Sequence, residues 1–418
     1  MTSLRTDDPR RVAVLIADAL VIHADLGARH ANPYYWYRLQ PVTESIARLA
    51  ADEYAAPWAP AARRLLQAPT VPEHHRRLVD VLTTMVARFP ARMGELADLA
   101  WQATHQGRLG HHLGADVAAG SRGTLPPGTR IPARRRDAAA GPTAQVVIPF
   151  RDRGDAGHRL RNLLSCLNSL RDQDPVDGGF TVTVVEADDS PRWRAEIEPL
   201  ADEYLFVRHS GPFNKAWVVN VGVVQSASRA GTLCVFDADL LPDRGFVARN
   251  VDRFRRQAGA GAVLPYRDML YLDEESSELA IGTRCLDDAP ALDPRALRGF
   301  WVRRPVGGCV WLRRDVFDRI RGMDERYEGW GGEDVDLVLR LQSSTALYTF
   351  DDFMVHLHHP VVLRRPDETA QNDEIPYMTW NPTEPIGQAD RYATPVATAT
   401  GPGTEGPGKS LTGDRMMV

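Results

Sequence analysis

The sequence predicts an α/β protein, a layered structure with a mainly parallel sheet, set behind a helical N-terminal region. Two features carry that prediction. From about residue 144 onward, strand-like apolar runs alternate with helix-like repeats, the pattern of a sheet with crossover helices. Acid-rich clusters follow directly on the strand-like runs, at what become the carboxyl ends of strands, where open α/β sheets collect their chemistry.

In chain order, residues 1 to about 116 read as helical: Leu15, Ala19 and Ile22 recur at helical spacing, as do Leu78, Val81, Leu82 and Met85. Pro57, Pro60, Pro69 and Pro72 separate the helices. The pairs His74-His75 and His111-His112 are of a metal-binding residue type, but isolated pairs read as surface residues. Residues 117–143 turn to Gly, Pro, Ala and Arg, with Leu125-Pro126-Pro127-Gly128 as a turn and Arg134-Arg135-Arg136 as a solvated run, and read as a linker. Gln145 to Pro149 is the first strand of the next unit, residues 144–362. Leu160, Leu163, Leu164, Leu167 and Leu170 then repeat as a helix. Thr181 to Val185 is a second strand running into Glu186-Ala187-Asp188-Asp189, and Val218 to Ala227 a buried helix. Thr232 to Phe236 is a third strand, leading into Asp237-Ala238-Asp239, with Ala262 to Leu264 and Val310 to Leu312 as further strands. Residues 363–418 form an extension, rich in Pro, Gly and Thr and largely disordered beyond about Gly387.

The chain has 418 residues, 43% hydrophobic and 25% charged, which suits a globular protein with room for two or three domains. Its net charge of −5 provides no basic field for nucleic acid. Cys166, Cys234, Cys285 and Cys309 form no CxxC pair, which argues against structural zinc and a disulfide framework. The apolar stretch Val12 to Ile22 is interrupted by Asp18 and is too short to span a bilayer, and Asp7 and Asp8 spoil the basic start of a signal peptide. A cytoplasmic protein without a membrane anchor is expected.

Two clusters point to chemistry. In Asp237-Ala238-Asp239, strand periodicity aims both carboxylates to one side, where they can bind a hard cation, Mn2+ or Mg2+. Such a cation neutralises charge developing on a departing phosphate. The same pattern also arises at strand-ending turns. In Gly329-Trp330-Gly331-Gly332-Glu333-Asp334-Val335-Asp336, glycines permit close backbone approach, a carboxylate can take the proton of an attacking hydroxyl, and Trp330 offers a face to a sugar ring. The plain alternative is a glycine turn with an acidic helix N-terminus and a buried tryptophan.

The stretch from Gly322 to Asp334 resembles the acidic motif of the galactosyltransferase-like glycosyltransferases, including β-1,4-galactosyltransferases and bacterial chondroitin-type polymerases. Val147-Ile148-Pro149-Phe150-Arg151-Asp152-Arg153 is similar to their donor loop, Phe213-Asn214-Lys215-Ala216 to their FNRA-type segment, and Asp237-Ala238-Asp239 to their DxD. Arg304-Pro305-Val306-Gly307-Gly308, followed by Arg314-Asp315-Val316-Phe317, fits the segment before the acidic motif. The resemblance covers roughly residues 145 to 360, in family order. It implies the GT-A fold of nucleotide-diphospho-sugar transferases, with helices on both faces of the sheet, and a UDP-sugar donor. Pro149, Phe150, Arg151 and Arg153 would line the nucleotide pocket, with Glu186 or Asp188 near the uracil. By the same resemblance Asn214 and Lys215 contact the donor, Asp237 lies near the ribose, and Gly307 and Gly308 border the sugar. Asp239 and a histidine would hold the metal, taken in the order His356, His358, His359 from His356-Leu357-His358-His359. Asp334 would be the general base, Glu333 a sugar contact and Trp330 the acceptor platform. Asp152 and Lys215 stand where many members have Asn and Arg, and Lys lacks the fork of Arg.

Together these imply single displacement with inversion, moving a hexose of glucose or galactose type to a hydroxyl. The acceptor is read as a small natural product such as an aminocyclitol antibiotic precursor, or as a polysaccharide terminus. The helical region shapes the acceptor side or an oligomer contact. A nucleotidyltransferase would need a glycine- and lysine-rich nucleotide loop, which is not found near the first strand. A non-catalytic sugar-binding protein would more naturally have lost one of Asp239, Asp334 or the histidines.

Overall fold

The computed structural model describes residues 8–51, 57–117, 141–154, 157–329, 331–360 and 371–392. Its strands in chain order are β1 Leu109–Leu113, β2 Ala144–Phe150, β3 Phe180–Asp188, β4 Glu203–Arg208, β5 Thr232–Phe236 and β6 Leu240–Leu241. They continue with β7 Ala260–Leu264, β8 Asp268–Leu272, β9 Arg298–Arg303, β10 Cys309–Arg313, β11 Ala346–Thr349 and β12 Val355–His356.

The larger sheet has seven strands in the order β11-β7-β10-β5-β2-β3-β4. Strands β5, β2, β3 and β4 run parallel, while β10 lies antiparallel between β5 and β7. The mainly parallel sheet expected from the sequence is therefore mixed. The reason is local: β5 and β10 exchange a straight ladder from Cys309 opposite Phe236 to Arg313 opposite Thr232, which needs no crossover helix.

Both faces of this sheet are covered, and strand periodicity explains how. Val146 and Ile148 of β2 pack with Leu163, Leu167, Phe246 and Val251, from the helices His158–Arg171 and Phe246–Arg256. Val147, pointing the other way, packs with Leu233, Val219 and Leu337, the last two from the helices Lys215–Val224 and Glu333–Ser344. The helix Lys215–Val224 sits so close to the sheet that a Cβ on Gly222 would lie 2.4 Å from Val147 Cγ1. Asn214 caps it, its Oδ1 accepting from Trp217 N at 2.8 Å.

A smaller sheet of five strands, in the order β1-β9-β8-β12-β6, links the two ends of the chain. The helices of the N-terminal region, Pro9–Ala24 through Pro90–Gln106, bury Ile16, Leu20, Leu78 and Leu82 in one core that also takes Phe300 and Val302 of β9. Residues 109–113, read from the sequence as helical, are instead the strand β1. They pair antiparallel with β9, placing His111 opposite Phe300. His75 and His111, expected at the surface, are both buried. Arg298, also buried, bridges the two regions through Asp25 and Asp273, the latter at 3.0 Å.

The linker residues 118–140 and the run Arg134-Arg135-Arg136 lie outside the described residues, as do residues 393–418. Residues 387–392, in the stretch expected to be disordered, are docked: Gly387 N donates to Glu325 Oε1 at 2.7 Å and Tyr392 Oη to Glu328 Oε1 at 2.6 Å. No helix among the described residues is long and apolar enough to cross a membrane.

Candidate active site

The two acid-bearing turns meet in one place, and Lys215 joins them. At the first turn of its helix, Lys215 places Nζ 2.8 Å from Asp237 Oδ1 and 3.0 and 2.9 Å from the two oxygens of Asp334. Asp237 follows β5 directly, its N–H donating to Gly308 O at 2.8 Å. Asp334 stands in the first turn of the helix Glu333–Ser344. A Cβ on Gly307 would lie 2.2 Å from Asp334 Oδ2, so only glycine lets the carboxylate sit here. Gly308 adopts φ +100°, and Tyr266 Oη holds the turn by donating to Gly307 O at 2.6 Å and accepting from Cys309 N at 2.7 Å.

Asp237, Glu333 and Asp334 crowd this one ammonium. Burial and then the carboxylates around it push Asp237 up to about 7, against the pull of Lys215. Burial, followed by Asp334, pushes Glu333 up to about 7 as well. Burial alone would lower Lys215, but Asp237 and Asp334 hold it well above the usual lysine range.

Beyond Asp237 the chain turns into β6. Because β6 pairs with β12, Leu240 opposite His356, Asp239 comes to face the histidines. Asp239 Oδ1 lies 3.2 Å from His356 Nε2, and Oδ2 lies 3.0 Å from His359 Nε2. Their ligand atoms lie within 4.8 Å of one another. Oδ1 is nonetheless buried without a hydrogen bond, so the His356 contact has the distance of a polar pair but not its geometry. An orphaned carboxylate oxygen against an imidazole nitrogen is the arrangement a divalent cation satisfies, so the residues fit a metal. Burial would raise Asp239, but His356 and His359 hold it below the usual carboxylate range. Burial also pushes His356 down to about 4, the neutral form a metal needs, and Tyr271 stacks on its ring at 4.2 Å.

This geometry corrects the choice of histidines. His359, placed last from the sequence, joins His356 at Asp239. His358 instead lies in a separate group with His158 and Glu274. Leu357 explains the difference: its N–H donates to Asp239 O at 2.8 Å, the short strand ends, and period-two alternation from His356 fails.

The residues expected around a nucleotide gather at the carboxyl ends of β2 and β3. Pro149 and Phe150 are buried in β2, so neither presents a free face there. The Arg151 guanidinium is spent on the backbone, donating to Ala187 O, to Gly211 O at 2.7 Å and to His209 O at 2.7 Å. Arg153 pairs with Asp188 at 2.7 Å and donates to His209 O and Ser210 O. Glu186 is buried and accepts from Tyr204 Oη at 2.5 Å and Arg192 N at 3.0 Å. Asn214, with its amide given to Glu325 O and Tyr392 Oη, is enclosed as well. These side chains build the walls of the loop region. Trp330 lies outside the described residues. The sequence reading gave Lys215 only as a donor contact; that it bridges the two acidic turns comes from the fold, which brings residues 215, 237 and 334 together.

Carboxylates gathered at strand ends, with mixed sheets behind a helical N-terminal region, define an α/β protein with its chemistry at the carboxyl end of the sheet. The family described as the N-terminal domain of galactosyltransferase matches residues 298–359, the segment holding Gly307, Glu333, Asp334, His356 and His359. β-1,4-Galactosyltransferase 4 of Homo sapiens is 26% identical over 148 residues, 34% of this chain and 33% of that protein. The Cricetulus griseus protein of the same name is 25% identical over the same length. The chain thus spans about a third of the length of the curated relatives it matches. The catalytic domain of Drosophila β1,4-galactosyltransferase 7, solved with xylobiose, aligns at 17% identity and a TM-score of 0.33, covering 56% of this chain and 78% of that one. The mannosyltransferase PcManGT of Pyrobaculum calidifontis, solved with GDP-Man and Mn2+, aligns at 18% identity and a TM-score of 0.33, covering 52% and 57%. The chain is thus similar to that family over residues 298–359 and, distantly, to the β-1,4-galactosyltransferases over about a third of its length.

Proposed function

We propose that the protein is a metal-dependent glycosyltransferase that moves a hexose from a UDP-sugar to a hydroxyl by single displacement with inversion. The observation that supports this most is the joining of the two acidic turns through Lys215, beside a carboxylate and two histidines fit for a cation. A divalent cation held by Asp239, His356 and His359 would supply positive charge for the diphosphate oxygens. Manganese suits that mixed set of imidazole and carboxylate better than magnesium.

The chain's own groups do the rest. Asp334 takes the acceptor proton as the hydroxyl attacks, and Lys215 fixes its carboxylate in place. Glu333, buried beside it with one oxygen free of hydrogen bonds, is the sugar contact. Gly307 and Gly308 border the sugar, their missing side chains letting Asp334 and Tyr266 approach, and Arg151 and Arg153 brace the loops that enclose the nucleotide. The acceptor belongs to the class of small hydroxyl-bearing molecules or glycan ends, with aminocyclitols as one candidate group.

The test is a screen of purified protein with manganese against a panel of nucleotide sugars, scoring release of nucleoside diphosphate. Release from one UDP-sugar, lost in Asp334→Asn while nucleotide binding persists, is the expected result. Full activity in that variant would remove Asp334 from the role of base. Binding of nucleotide sugar with no turnover in any pairing would favour a sugar-binding protein.

A further inference from the structure

A second group of the same composition lies far from the transfer site, in the helical region. Asp18 comes from the helix Pro9–Ala24, His75 from the helix Pro72–Arg88 and His111 from β1. His75 Nε2 is 2.8 Å and His111 Nδ1 3.0 Å from one and the same oxygen, Asp18 Oδ1. The core around it is mostly aliphatic, with Ile16, Leu20, Leu78, Leu82 and Phe300, and Arg298 is the charged group that acts on His111.

We propose that Asp18, His75 and His111 form a structural zinc site that fastens the helical region to the small sheet. The donors are those zinc takes, one carboxylate and two imidazoles. Zinc bonds of about 2.0–2.1 Å at tetrahedral angles set neighbouring ligand atoms about 3.3 Å apart, so the observed 2.8 and 3.0 Å need to open by only a few tenths of an ångström. The three ligands arise from separate elements, so an ion among them would cross-link the chain over sequence separations of 57 and 93 residues. The His111 side chain is 1% exposed and its other nitrogen, Nε2, has no partner, so the ring's polar capacity is spent entirely toward Asp18. Where packing alone is wanted, an apolar side chain fills such a place without that cost. The Asp18 side chain is 21% exposed, which leaves a way in for the ion and a place for water as fourth ligand.

The rival is a metal-free cluster in which both rings donate to the one carboxylate oxygen. The two differ under Asp18→Asn, because an amide oxygen still accepts from both rings but is a poor zinc ligand. The experiment uses the full chain with His356→Ala, His358→Ala and His359→Ala, so that the other two groups of possible ligands are disabled. Elemental analysis after dialysis against zinc should give one equivalent. Cobalt titration should show the visible bands of a tetrahedral site. Adding Asp18→Asn should weaken metal binding about 100-fold or more while the far-ultraviolet spectrum stays folded. No bound equivalent before that substitution, or undiminished binding after it, overturns the site. Should the Asn variant not fold, dipicolinate added to the triple-alanine protein decides. A fall of several degrees in melting temperature, reversed by zinc and not by magnesium, supports the site, and an unchanged melting temperature overturns it. The outcome does not depend on transferase activity.

Discussion

Two Asp-His-His groups lie among the described residues, and their surroundings differ. At Asp239 the rings take one carboxylate oxygen each, and Asp237, Glu333, Asp334 and Lys215 stand near. At Asp18 both rings share one oxygen inside an aliphatic core. The first group has several charged neighbours that can act on a ligand, whereas the second lies in a mostly aliphatic core with Arg298 nearby. Donor set alone therefore does not define a catalytic centre. The titratable groups around it do, and only the Asp239 group sits at the carboxyl end of a sheet.

The largest effects should fall on turnover. Asp334→Asn should lower transfer by about 10²–10⁴-fold, the range for loss of a general base, with nucleotide affinity nearly unchanged. Asp18→Asn should leave kcat close to that of the parent chain once folded protein is compared. Equal losses at the two sites would break the contrast between them.

Next in size is the seam between the regions. Arg298→Ala leaves Asp25 and Asp273 without their shared partner, and removing one member of a buried ion pair costs about 3–5 kcal/mol. Urea melts should show this loss; a change under 1 kcal/mol, roughly the surface-pair range, would mean the seam is held by other contacts.

Charge crowding at the transfer site adds a pH dependence. The folded chain holds Glu333 near 7 against an ordinary 4.5, so the folded form binds the extra proton between those values. The contribution is full below 4.5 and is lost as pH rises through 7, amounting to about 3 kcal/mol. Glu333→Gln, melted in chelator at about pH 5 and about pH 8, should remove roughly half of the combined slope. Asp237 shifts the same way and should retain the remainder. An unaltered slope would show that Glu333 ionises freely. The smallest effect is local: Asp8→Ala removes the exposed cap of the helix Pro9–Ala24 and should cost about 1 kcal/mol in a urea melt.

Much of this was legible from residues alone, and the misses have physical causes. β2, β3 and β5 lie where apolar, β-branched runs place them, because buried strands need such residues on both faces. The clusters at Asp237 and Asp334 were visible as acids following strand or glycine signals. β1 was not: Leu109–Leu113 is a strand only because β9 offers it an edge, a partner about 190 residues away. His359 was ranked last, and nothing local in the sequence marks the end of the two-residue strand at His356 that turns it to Asp239. His75, by contrast, left a signal that went unread. It lies three, four and seven residues before the buried Leu78, Val79 and Leu82, on the inward stripe of its helix.

The most direct test of the transfer site compares His359→Ala with His358→Ala in manganese-dependent release of nucleoside diphosphate from the preferred nucleotide sugar. His359→Ala should abolish the manganese-stimulated rate, and His358→Ala should keep most of it. The reverse order, or a manganese-independent rate in the parent chain, would contradict a cation held by Asp239, His356 and His359.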